Sequence, residues 1–141
     1  MQTKIPLQII ELEEHNFHIA ISCRFFNQTS GMWIVDTGAS KTVFDKNKIE
    51  FYIHSDDVEE EIHSAGISDE PLKSTIAILK TLHFEKLKIQ DLKVALIDLS
   101  HINELYQKKV NIEICGLIGS DFLMKYAATI DFKKQRLVLK H

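Results

Sequence analysis

Two short stretches of this sequence hold the residues that could do chemistry. The first, Trp33-Ile34-Val35-Asp36-Thr37-Gly38-Ala39-Ser40, is an apolar run that delivers a carboxylate and turns at once on a glycine. A carboxylate so placed can accept its own backbone amides as an Asx turn, or it can be reserved for acid–base or phosphoryl chemistry. The second, Ile114-Cys115-Gly116-Leu117-Ile118-Gly119-Ser120-Asp121-Phe122-Leu123, is an apolar run that turns on Gly119 into a segment with helical character. The chain has only five glycines, and each falls where a sharp turn or a close backbone approach is required. Either stretch alone is a weak signal. Together, about eighty residues apart with a glycine-tipped hairpin between them, they form a much rarer combination.

Other chemistries find less support. An aspartyl phosphate would need a second acidic residue nearby for Mg²⁺ and an alternating strand–helix pattern, which this chain lacks. His15 and His18 would point to opposite faces of a strand, so no shared metal ion is expected there. Cys23 and Cys115 sit in apolar stretches with no metal-ligand spacing, and they read as buried, reduced thiols of a cytoplasmic protein. With 17 basic and 20 acidic residues spread along the chain, no electrostatic footprint for nucleic acid or an anionic membrane is present. No apolar run approaches the ~18 residues of a membrane helix, and the opening MQTKIPLQIIELEEH does not read as an export signal.

The elements that must position these residues are mostly strands. The 141 residues, 45% of them hydrophobic, suit a single domain over residues 1–141 with a core that needs no staples. Over residues 17–26, Phe17, Ile19, Ile21, Cys23 and Phe25 alternate with polar or small residues as in a half-buried strand. Met32 to Val35 is apolar on both faces, as a central strand requires. A short strand is expected at Lys41 to Phe44, and the stretch from Ile49 to Asp57 carries no clear pattern. Val58 to His63 and Leu72 to Lys80, separated by SAGISDEP, predict a long hairpin. Further strands are expected at Leu82 to Ile89, Leu92 to Ile97 and Ile112 to Ile118, with a helix over HINELYQKKV between the last two. Ser120 stands as the N-cap of a short helix, and Ala128 to Phe132 with Arg136 to Lys140 closes the chain as a hairpin. Short strands with frequent turns and one or two small helices predict a mainly β barrel or sandwich.

At the two glycine-bearing elements the chain resembles the retropepsin-like aspartic proteases, single-domain relatives of retroviral protease and of the pepsin lobes. IVDTGAS at 34–40 is similar to the family's catalytic loop, SAGIS at 64–68 lies where its flap would be, and CGLIGSDFL at 115–123 is similar to its second conserved element. YAATIDFKKQRLVL at 126–139 resembles the closing strands of bacterial members.

The resemblance implies an acid-protease barrel that acts as a C2 homodimer on peptide or protein substrates, without metal or cofactor. It implies that Asp36 is the catalytic acid and that Thr37, Gly38 and Ala39 support its loop. Ala65, Gly66 and Ile67 would form the flap tip over the substrate, and Leu117, Ile118 and Gly119 the second element. Such hydrolysis needs two carboxylates sharing one proton and one water, and this chain has a single Asp-Thr-Gly. Asp45, Asp121 and Asp131 lack that context, so the second carboxylate is expected from a twin chain. Position 39 is Ala, where the pepsin lobes commonly carry a hydroxyl to the carboxylate, which implies activity at milder pH than pepsin's. The alternative is a catalytically silent dimerisation or peptide-binding module with the same fold. Trp33 and the pair Leu117-Ile118 read as core packing around the Asp loop.

Overall fold

The computed structural model describes residues 1–55, 60–62 and 72–141. Strands β1 (Gln2–Pro6) and β2 (Gln8–Glu13) precede β3 (Asn16–Phe25) and β4 (Ser30–Val35). After β5 (Val43–Asp45) come a 3-10 turn at Ile49–Phe51 and β6 (Tyr52–His54), which occupy the first part of the stretch that carried no clear sequence pattern. Then follow β7 (Glu60–Ile62), β8 (Leu72–Leu79), β9 (Leu82–Phe84), β10 (Leu87–Ile89) and β11 (Lys93–Ile97). The last third holds α1 (Ser100–Val110), β12 (Gly116–Ile118), α2 (Ser120–Lys125), β13 (Thr129–Asp131) and β14 (Arg136–Lys140). The chain is mainly β, with one long curled sheet and a small sheet in the order β1-β14-β13.

The central strands carry apolar residues on both faces because each face is covered. Trp33 and Val35 of β4 join Ile21, Cys23 and Phe25 of β3 in the main core, while Ile34 and Ala20 face the other way into a second cluster beneath α1. Trp33 is fully buried against Phe44 and Phe84, as its core reading required. The alternation read over residues 17–26 fails at Phe17, which is 58% exposed. Pairing of β3 with β4 begins only at Ala20 opposite Ile34, so among the described residues the start of β3 has β2 on one edge and no strand on the other.

Three further expectations are corrected. Leu82 to Ile89 is not one strand but the tight hairpin β9–β10, turned at Glu85 with φ 52°, a left-handed position that no glycine advertised. Ile112 to Cys115 is not strand, because the Asn103 side chain takes over both backbone groups of Ile114, accepting its N–H at 2.6 Å and donating to its carbonyl at 2.9 Å. The cap of α2 is Gly119 and Ser120 is the first helical residue, a shift of one position. The predicted hairpin pairs as β7 with β8, Ile62 opposite Leu72, and its turn, with Ala65, Gly66 and Ile67, lies outside the described residues.

Helix α1 forms where Ile102, Leu105 and Tyr106 predicted it. Asn111 ends it in the left-handed conformation, its N–H bonded to Gln107, and Lys108 and Lys109 complement the C-terminal dipole. At its start Asp98 accepts the Ser100 hydroxyl and N–H, and those bonds, with one from Asn47, pull its carboxyl down to about 2. A lowered carboxylate stabilises the fold above its ordinary value of 3.8 and loses that contribution as pH falls through about 2. Asp98→Ala should therefore lower the melting temperature at neutral pH, with the gap to the parent closing between about pH 4 and pH 2. A gap that stays constant down to low pH would disprove the assignment. Among the described residues no helix is long and apolar enough to cross a membrane.

Candidate functional site

Strand β4 lies between antiparallel β3 and parallel β12, with Ile34 beside Leu117 and Val35 beside Ile118. The chain leaves β4 at Asp36 but stays tied to its neighbour, because the Asp36 N–H donates to the Ile118 carbonyl at 2.9 Å. The Gly38 N–H then donates to Asp36 Oδ1 at 3.0 Å, and the Ala39 N–H to the Asp36 carbonyl at 3.2 Å. Ala39 accepts the Ser120 N–H at 2.8 Å, closing the Asp loop onto the start of α2. The half-buried Asp36 carboxylate is thus held at a strand end by a backbone donor, with Thr37 and Gly38 exposed beside it.

The two glycine-bearing elements meet as the sequence suggested, but a residue it did not single out joins them. Thr42 is fully buried. Its hydroxyl accepts the Gly119 N–H at 3.1 Å and donates to Asp121 Oδ1 at 2.7 Å, using both of its capacities. Asp121 also accepts the Phe122 N–H at 2.8 Å, in the first turn of α2, where a carboxylate suits the helix dipole. A buried hydroxyl six residues after Asp36 was the available signal, and it is legible only once the loop is known to pack on β12. Ile118 belongs to the main core, whereas Leu117 faces the opposite side, toward α1, so the pair does not act as one core unit.

Helix α1 brings Tyr106 under the influence of Asp36, and β3 sets His18 against that tyrosine. Tyr106, buried among Ile10, Ala20, Ile34 and Ile114, has its hydroxyl pushed above the usual tyrosine range by burial first and by the Asp36 charge second. The His18 ring meets Tyr106 edge-on with centroids 6.0 Å apart. On the other flank, Ile34 and Val35 line a hollow of about 360 Å³ together with His18 and the exposed rings of Phe17 and Phe132.

A larger hollow of about 510 Å³ opens at the far end of β4, bordered by Gly31, Phe51, Cys115 and the Lys48–Glu113 ion pair at 2.8 Å. It is separated from Asp36 by the length of the strand. Cys23 and Cys115, distant in sequence, are free, buried and hydrogen-bonded to each other there, with Trp33 Nε1 donating to Cys23 at 3.2 Å and burial pushing the Cys115 thiol up. Among the described residues no group of three or more His, Cys, Asp or Glu is arranged to hold a metal ion.

Comparison with known proteins gives a consistent picture. The family model for aspartyl proteases matches residues 21–122, well over half of the chain. A retropepsin-like aspartic protease from Rickettsia conorii superposes with a TM-score of 0.53 at 16% identity, over 99% of this chain and 89% of the other. The retroviral protease-like domain of Ddi1 from Leishmania major superposes with a TM-score of 0.51 at 17% identity, over 86% of this chain and 87% of the other. No curated protein matches the sequence.

Proposed function

The chain belongs to the aspartyl protease family, with a retropepsin-like fold, and from that premise we propose that it is an endopeptidase whose active site forms when two copies pair around Asp36. The observation that carries this reading is the geometry of the Asp36 loop: a carboxylate fixed at a strand end, laced to the second glycine element, with an exposed Thr37 and Gly38 at its tip. One carboxylate cannot run the reaction. Asp121 is engaged by Thr42, and Asp45 accepts from Asn47 and Leu99, so neither supports a role as its partner.

In the pair, two carboxylates about 3 Å apart cannot both ionise and hold one proton between them. The ionised one acts as general base on water, and the protonated one donates to the scissile carbonyl oxygen. Thr37 bonds across the pair to keep the loops rigid, and the Gly38 N–H steadies the carboxylate. The hairpin continuing β7 and β8, with Ala65, Gly66 and Ile67, closes over an extended peptide and excludes water. Two free buried thiols support a reducing, cytoplasmic setting.

The surface beside Asp36 supports self-association. Phe132 is 64% exposed and Phe17 58%, on the rim of the hollow that reaches Val35. Apolar rings exposed together mark an interaction surface more often than chance scatter does. Native mass measurement with a statine-type inhibitor is expected to give one inhibitor per two chains. Phe132→Asp should weaken pairing about 100-fold and reduce activity in step, with full activity recovered at high protein concentration. An active monomer, or one inhibitor per chain, would refute the paired site.

A further inference from the structure

Alternation along β4 puts Ile34 on the face opposite Trp33 and Val35, and that is the face α1 covers. The same face runs on through Leu117 of β12, which lies beside Ile34, to Val43 of β5, Ala95 of β11 and Ile76 of β8, with Ile102 of α1 packed over it. Strand β8 continues the hairpin read as the flap. Helix α1 therefore roofs the apolar floor between the Asp36 loop and the foot of that hairpin, which on the protease reading is where a substrate's side chains would otherwise settle.

The α1 residue that both packs on Ile34, two positions before Asp36, and feels the Asp36 charge is Tyr106. Its side chain is 4% exposed, packed on Ile34 and Ala20 and edge-on to His18. Its hydroxyl feels the Asp36 charge. An extended peptide presents its side chains alternately to the two sides, so a side chain flanking the scissile bond on the α1 side would have to enter space that this buried ring fills.

We propose that Tyr106 is a specificity-determining residue: by filling the space beside Asp36 it leaves a shallow subsite, and the enzyme cleaves between small side chains such as Ala, Gly or Ser. The inference rests on the protease reading above. In a two-fold pair each copy contributes one Tyr106, so the restriction applies on both sides of the scissile bond. A leucine or phenylalanine there would have to displace a packed ring and the helix behind it.

The test uses two matched peptides, one with Ala-Ala and one with Phe-Phe at the cleavage point, and the paired protein. The parent should favour the Ala-Ala peptide by about tenfold or more in kcat/KM, and Tyr106→Ala should erase or reverse that ratio. Tyr106→Phe keeps the ring and should keep the ratio. Because Tyr106→Ala can unseat α1, Tyr106→Leu is measured beside it and should move the ratio the same way. A parent that prefers Phe-Phe, or a ratio unmoved in both the Ala and Leu variants, overturns the proposal. Statine-type inhibitors carrying a methyl or a benzyl side chain separate the two levels. Equal, tight binding of both would sink the shallow subsite alone, whereas no binding and no cleavage would sink the protease reading and this inference with it.

Discussion

Replacing Asp36 by Asn is expected to lower peptide cleavage by at least about 10³-fold while the two-chain assembly persists. Asn keeps the shape of the side chain and can still accept the Gly38 N–H, so the loop has no reason to rearrange. What it cannot do is take up and release the proton that the proposed pair would share. Kinetic assay beside native mass measurement checks both halves. Residual cleavage close to the parent rate would remove Asp36 from the mechanism. A parent protein that pairs and binds peptides without cutting them would favour the silent-module alternative, which the Asx-turn geometry of Asp36 also accommodates.

The second large effect is expected at Gly119. A Cβ there would lie 2.7 Å from the Lys41 carbonyl carbon and oxygen and 2.9 Å from the Ala39 oxygen, all of them main-chain atoms. No flexible side chain can give way, so the loop carrying Asp36 must move as a body. Gly119→Ala should cost about 1–3 kcal/mol of stability through overpacking. Displacing the carboxylate by even about 1 Å should reduce kcat roughly 100-fold. Thermal melting and kcat are read together. A variant that melts and cleaves like the parent would show that the two elements are not coupled through this contact.

The site was legible where its chemistry is local. Asp36, Thr37 and Gly38 announce a strand end and a turn through their own conformational preferences, and Gly119 announces a close approach through the absence of a side chain. The helix over Ile102 to Tyr106 was legible for the same reason, because its periodicity belongs to the segment itself. What the helix does was not legible. Tyr106 comes under the Asp36 charge only through the packing of α1 on β2 and β4, a tertiary relation with no signature in either segment. Thr42 joins Gly119 and Asp121 across 77 and 79 positions, and Cys23 of β3 meets Cys115 only across Gly31, the β4 residue opposite it, which has no side chain to part them. Secondary structure misled where side chains replaced backbone partners, as Asn103 does for Ile114, or where a non-glycine took a left-handed turn, as Glu85 does. Before Phe17, Glu11 and Glu13 interrupt the apolar pattern of β2 and β1 offers Ile5 as its one large apolar side chain besides Pro6, although Thr3 and Ile5 are buried against β14.

The pairing of β1 with β14 sets residue 1 against residue 141, the Met1 ammonium donating to the His141 carbonyl at 2.9 Å and the His141 N–H returning to Met1 at 3.0 Å. A tether fusing one copy to another would thus leave and enter each fold at the same spot. It would convert an encounter in solution into one at millimolar effective concentration. Given the paired site proposed above, the two acids of such a fused form would no longer have to be identical in surroundings, and each half could be altered independently to give the cleft a direction.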